Sequence, residues 1–149
     1  MNDLPPHPPL PRYYDSASDR DDFVRTLFDR GAPAYDQVNA LCSLGTGARY
    51  RRDALRHSGL APGQRLLDVA IGTGLVAREA LKILGRPQDV IGLDLSAGML
   101  RQARRVLPVP LLQARAEAIP LATASMDLLS MGYALRHVPD LVQAFREFG

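Results

Sequence analysis

The spacing of apolar and polar positions changes character near residue 64. Before it, apolar residues recur at helical intervals between breakers. A helix is expected over 19–30, with Asp19 as its cap and Phe23, Leu27 and Phe28 on one face. Gly31 and Pro33 should end it. A second helix is expected over 34–43, carrying Tyr35, Val38 and Leu41, and a third over 47–58, ahead of the breakers at 59–63. Beyond residue 64, short apolar runs alternate with amphipathic stretches. The run 65–71 is interrupted only by Asp68, as in a strand buried on both faces. Gly72-Thr73-Gly74 turns into a helix that reaches Leu84 and is closed by Gly85. A second strand is expected over 90–95, and Ser96 caps a helix to about Leu107. Strands at 109–113 and 126–131 follow, then a last helix from Pro139 and Asp140. This alternation specifies right-handed crossovers and a parallel sheet with helices on both faces.

Three regions result. Residues 1–18 hold five prolines before position 12 and should be extended or disordered. Residues 19–63 form a helical cap or lid, and 64–149 an α/β domain. With 46% hydrophobic and 23% charged residues in 149, the composition is that of an ordinary globular chain. No apolar run is long enough to span a membrane and no secretory leader is visible, so a cytoplasmic location is the default expectation. Cys42 is the single cysteine, which excludes an intrachain disulfide, and the three histidines show no metal-ligand spacing, so no metal is expected. The net charge is +2, and Lys82 is the only lysine. Arg49, Arg51, Arg52 and Arg56 cluster, but as the solvated face of a helix; no nucleic-acid partner is expected.

The candidate chemistry lies in Leu66-Leu67-Asp68-Val69-Ala70-Ile71-Gly72-Thr73-Gly74, at a strand-to-helix turn. The two glycines allow a ligand to approach the backbone, and a helix N-terminus supplies unpaired N–H groups. Asp94 follows 20 residues after Gly74, at the end of the next strand, where a carboxylate can take both hydroxyls of a ribose. Gly72, Gly74 and Ala77 also satisfy the dinucleotide fingerprint G-x-G-x-x-A, so an NAD(P)-dependent oxidoreductase is one alternative. A non-catalytic binding module on the same fold is another. Asp68, four residues before Gly72, favours a cationic ligand over a pyrophosphate, because opposite charges attract strongly in a poorly solvated cleft.

Later segments add a family pattern. Ala116-Glu117-Ala118-Ile119-Pro120 followed by Met126-Asp127-Leu128-Leu129 resembles the A-E-x-(L/I)-P…(F/M)-D-h-h pattern of class I S-adenosylmethionine-dependent methyltransferases, h being apolar. Ser96-Ala97-Gly98-Met99-Leu100 resembles the S-x-x-M-L of the same family. Within it the chain is most similar to the ubiquinone and menaquinone C-methyltransferases. Ala70 gives D-V-A-x-G-T-G, and Ala134-Leu135-Arg136-His137-Val138 resembles G-L-R-N-V. Upstream, Phe28-Asp29…Tyr35-Asp36…Asn39…Ser43-Leu44-Gly45 resembles F-D…Y-D-x-x-N-x-x-x-S-x-G. The resemblance covers about 28–149. Departures are Gly47, Ala48 and Tyr50 in place of His-Arg and Trp, Arg115 in place of Asp or Asn, and Leu75 in place of Asp.

The resemblance implies a Rossmann-like methyltransferase fold that binds S-adenosylmethionine and releases S-adenosylhomocysteine. It places Tyr35, Asp68, Ala70, Gly72, Thr73, Gly74, Asp94, Leu95, Met99, Ala116, Glu117 and Gly132 at the cofactor, with Met99 and the Ala116 loop beside the adenine. Tyr133, Arg136 and His137 fall on the substrate side, where a small organic acceptor, a quinol or another aromatic ring, would receive the methyl group. The family fold has seven strands and the pattern supplies four. The strand at 126–131 should therefore be continued by further chain, or covered by a second copy or by domain exchange.

Overall fold

The computed structural model describes residues 16–42 and 46–149, without the side chains of residues 17, 18, 21 and 33–42. Two helices, α1 (Ala17–Cys42) and α2 (Gly47–His57), precede a strand-helix alternation: β1 (Leu66–Val69), α3 (Leu75–Leu84), β2 (Val90–Asp94), α4 (Ala97–Val106), β3 (Leu111–Gln113), β4 (Leu128–Met131) and α5 (Leu141–Phe148). The four strands form one parallel sheet in the order β3-β2-β1-β4. The expected α/β architecture and four strands are present, each strand shorter by one to three residues. The order reverses between β1 and β4. That switch opens a crevice at the C-terminal ends of the strands, the usual ligand position in such sheets.

Most of the expected local signals are in place. Ser96 Oγ accepts from Met99 N at 3.0 Å and Asp140 Oδ1 from Gln143 N at 3.1 Å, so both helices begin at side-chain caps. Gly85 closes α3 with φ +81°. Leu66, Ile71, Ala77, Ala80, Leu84, Val90, Leu100 and Leu107 are buried together between the sheet and the helices on one face. On the other face Leu67, Val69, Ile91 and Leu93 are buried beneath half-buried side chains of the 112–131 segment and Phe148 of α5. A Cβ at Gly92, in the middle of β2, would collide with the end of the Ile71 side chain and come within 2.9 Å of Leu111. The Ile71 side chain thus lies across β2 where another residue would project.

The N-terminal part differs from expectation. α1 runs unbroken through Gly31 and Pro33. A proline removes one backbone hydrogen bond but its φ suits a helix, and tertiary packing can hold the axis through it. The inward face is not the one carrying Phe23 and Leu27, which are 37% and 52% exposed. Instead Arg20 and Ala32 are buried and Val24 and Phe28 are half-buried, a stripe with a spacing of four. Arg20 can be buried because its Nη2 donates to the Arg136 carbonyl at 3.0 Å. Ser16, not Asp19, supplies the side chain at the start of α1: its Oγ accepts from Asp19 N at 3.1 Å. α2 is bound to α3 by Glu79, whose carboxylate takes Arg52 Nε at 2.7 Å and Lys82 Nζ at 2.6 Å.

Candidate functional site

The crevice is lined from the strand ends by Val69, Ala70 and Gly72, by Leu93, Asp94 and Leu95, by Ala114 to Glu117, and by Met131 to Ala134. Met99 of α4 closes its floor, Val24 and Phe28 of α1 one side, and Arg136 to Pro139 another. The structure therefore brings together Ala70, Gly72, Asp94, Leu95, Met99, Ala116, Glu117 and Gly132 with Tyr133, Arg136 and His137. Tyr35 lies in α1, but its side chain is outside the described residues.

Asp94 is at the end of β2 and is 8% exposed. Its Oδ2 accepts from Gly72 N and its Oδ1 from Ser96 N, both at 2.8 Å. Each oxygen keeps a second lone-pair direction, so the group is fixed in place yet still able to accept. Burial, with the Asp29 charge adding to it, raises its pKa against the pull of the Ser96, Gly72 and Leu95 amides. Gly72 has φ +58° and nothing closer than 4.0 Å to a Cβ at its position, so the backbone there is open to a ligand.

Ala70 occupies the left-handed region without being glycine, at φ +54°. Tyr133 does the same at φ +63° and is 69% exposed. Such residues cost on the order of 1–2 kcal/mol each, a strain typical of functional turns. On the β4 side, Arg136 Nε donates to His137 Nε2 at 3.1 Å, and Phe28 meets the imidazole edge-on with centroids 5.2 Å apart.

Three expected site residues are not on the crevice surface. Asp68 is 1% exposed; its Oδ1 accepts from Ser130 Oγ at 2.7 Å and its Oδ2 from Ala77 N at 3.1 Å. It sits one residue inside the strand end, so its side chain points beneath α3 and ties β1 to β4 and to the helix. The charge that favoured a cationic ligand is therefore engaged internally, and burial pushes its pKa up to about 7. Gly74, at φ +90°, faces α4: a Cβ there would collide with the Leu107 side chain. Its role in the structure is close helix packing. Thr73 is 3% exposed and also lies away from the lining.

Other residues at the site carried no assigned role in the sequence. Val24 and Phe28 reach it only because of the four-residue stripe on α1. Asp29 lies beside it: its Oδ1 accepts from Ser96 Oγ at 2.5 Å and from Gly98 N at 2.8 Å. Phe28-Asp29 was visible as a motif, but the partners of both residues lie on elements remote in sequence.

An apolar recess (Leu95, Met99, Ala114, Ala116) beside a fixed carboxylate and an open glycine turn suits a nucleoside: base in the recess, sugar hydroxyls on the acid. Comparison with known proteins bears on the family and the fold. The model of the ubiE/COQ5 methyltransferase family matches residues 15–148. The ubiquinone/menaquinone biosynthesis C-methyltransferase of Syntrophotalea carbinolica is 42% identical over 130 residues, covering 84% of this chain and 54% of that protein. The 2-phytyl-1,4-naphtoquinone methyltransferase of Synechocystis is 37% identical over 131 residues, covering 83% and 55%. The chain thus spans about half the length of these curated relatives. Among solved structures, a putative S-adenosyl-L-methionine-dependent methyltransferase of Methanococcus maripaludis shares the fold with a TM-score of 0.70 at 18% identity, covering 80% of this chain and 56% of that one. A S-adenosylmethionine-dependent methyltransferase of Thermotoga maritima superposes with a TM-score of 0.65 at 27% identity, covering 83% and 54%. The chain belongs to the ubiE/COQ5 methyltransferase family.

Proposed function

We propose that this chain forms the S-adenosylmethionine-binding part of a methyltransferase acting on a small aromatic acceptor of the quinol type. The observation that carries the reading is Asp94. It is the acid at the crevice mouth, held by the Gly72 and Ser96 amides with lone pairs left for two sugar hydroxyls. Bound there, the cofactor would supply a methyl group already activated on a sulfonium. The chain's own residues then have to orient the two reactants and keep water out. Asp94 would hold the ribose, the Gly72 turn the aminoacyl end, and Leu95, Met99, Ala114 and Ala116 the adenine. Glu117, 12% exposed in its side chain and 3.6 Å from Arg115, would close the base's outer edge.

Tyr133, Arg136 and His137 form the acceptor side of the reading. His137 Nε2, which accepts from Arg136 Nε, would exchange that donor for the acceptor's phenolic hydroxyl and take its proton. The resulting phenolate would make the adjacent ring carbon the nucleophile. A carbon–carbon bond would form as the sulfur–methyl bond breaks, and S-adenosylhomocysteine would leave. Loss of that carbon's proton would restore the aromatic ring. The quinone names of the relatives support this acceptor class. Calorimetric titration with S-adenosylhomocysteine and with NADH tests the cofactor: saturable binding of the first alone is expected. NADH binding without S-adenosylhomocysteine binding would overturn the reading in favour of an oxidoreductase.

A further inference from the structure

Helix α1 touches the crevice at two places, and one of them is a single carboxylate inserted at the start of α4. Asp29 Oδ1 accepts from Ser96 Oγ at 2.5 Å and from Gly98 N at 2.8 Å. Ser96 is also the α4 cap, taking Met99 N on its Oγ, and its own amide donates to Asp94. Asp29, Ser96 and Asp94 thus form a continuous chain of hydrogen bonds from α1 to the crevice. Met99, anchored at the same cap, is 2% exposed and forms the floor.

The approach of the two helices is close enough to dictate a residue type. A Cβ at Gly98 would lie 2.8 Å from the Asp29 Cα and 2.9 Å from its carbonyl oxygen. Those are backbone atoms and cannot swing aside. The second place is the four-residue stripe: Arg20 Nη2 on the Arg136 carbonyl and Phe28 against His137. These contacts fix how α1 lies, and so where Asp29 is delivered.

We propose that Asp29 is a positioning residue for the cofactor site: from α1 it sets Ser96 and the first turn of α4, and through them the orientation of Asp94 and Met99. The inference rests on the cofactor reading given above. Asp29 is not among the residues that line the crevice. Its part is to hold, before binding, an acceptor geometry that would otherwise be ordered at the expense of affinity.

Asp29 also carries charge toward Asp94. Among the described residues, the charged groups facing this pair are Arg101 and Arg25 beside Asp29, and Asp68 beside Asp94. The Asp29 charge contributes to raising Asp94's pKa, after burial. Removing it lowers the pH at which Asp94 protonates and stops accepting.

The test compares Asp29→Ala and Asp29→Asn with the unaltered protein, by titration with S-adenosylhomocysteine across pH and by thermal melting. Asp29→Ala is expected to weaken binding about tenfold, the cost of losing charge-assisted hydrogen bonds at the site. Asn keeps an oxygen for both donors, so Asp29→Asn should restore affinity to within about threefold at neutral pH. Its acid limb of binding should move to lower pH. A merely structural role would lower the melting temperature in both variants and leave the limb where it was. Unchanged affinity in Asp29→Ala overturns the inference. If Asp29→Ala does not fold, an unmoved acid limb in Asp29→Asn does so alone. Failure of the unaltered protein to bind S-adenosylhomocysteine instead overturns the cofactor reading, and the inference with it.

Discussion

The two walls of the crevice are built on different principles. The wall at the ends of β1 and β2 is buried: Asp94 is held by the amides of Gly72 and Ser96, which sit within a few residues of the strand ends that aim them, and Asp29 reaches it from α1. The wall at the end of β4 is exposed and held from a distance. Tyr133 is 69% exposed, and the 135–137 turn is fixed by Arg20 and Phe28, more than a hundred residues earlier in the chain. The first wall suits a constant ligand whose binding groups are prearranged. The second suits an acceptor that must enter, react and leave. Affinity and turnover should therefore separate when the two walls are altered in turn.

The largest effect is expected from Asp94→Ala, which removes the proposed acceptor for the sugar and leaves the Gly72 and Ser96 amides without their partner. Affinity for S-adenosylhomocysteine should fall at least about a hundredfold, roughly 3 kcal/mol. Affinity within a factor of a few of the parent would remove the first wall from the site. On the opposite wall, His137→Gln should lower turnover by about tenfold or more while cofactor affinity stays within about twofold. Tyr133→Phe should shift the same two quantities in the same direction, by less. Equal losses of affinity and rate would dissolve the contrast.

A third effect is read in pH and belongs to neither wall but to the carboxylate buried beneath them, which ties β1 to β4. Asp68 has its pKa pushed up to about 7 by burial, against donation from Ser130 and Ala77. The folded chain therefore binds a proton that the unfolded chain has already lost. Stability should fall as pH rises from about 4 to about 7 and level off above. Asp68→Asn should reduce that slope in denaturation measured across pH, leaving the part due to Asp94, whose pKa burial also raises; an undiminished slope would assign it to another group. The smallest effect is Ala70→Gly. Relieving the left-handed alanine should stabilise the fold by up to about 1 kcal/mol net of glycine's entropy, seen as a small rise in denaturation midpoint.

The same contrast explains what was legible in the sequence. The 64–149 alternation, the caps Ser96 and Asp140, the Gly85 stop and the Gly72–Asp94 pair are signals in which residues act on near neighbours or on the adjacent strand. Asp68 lies beneath α3 and not on the crevice, a difference the sequence does not show because a strand buried on both faces has no alternation to mark the ligand side. Its position inside the strand, short of the end, was the better guide. A glycine at such a turn serves ligand or packing equally well, and at Gly74 only the Leu107 side chain, remote in sequence, decides for packing. The inward turn of Arg20 depends on a carbonyl 116 positions away, and nothing local announces it. α1 continues through Pro33 against its low helix propensity, a weak guide that tertiary context often overrides.

The empty side-chain position at Gly92 has a consequence for how this site could change. Ile71, the residue leading into the turn, rests its side chain in that gap in the neighbouring strand, so the bend that presents Gly72 is supported from across the sheet. Bulk introduced at position 92 would be transmitted to the turn as a tilt, reshaping the mouth without altering any residue that lines it. A substitution catalogue restricted to the lining would pass over this lever.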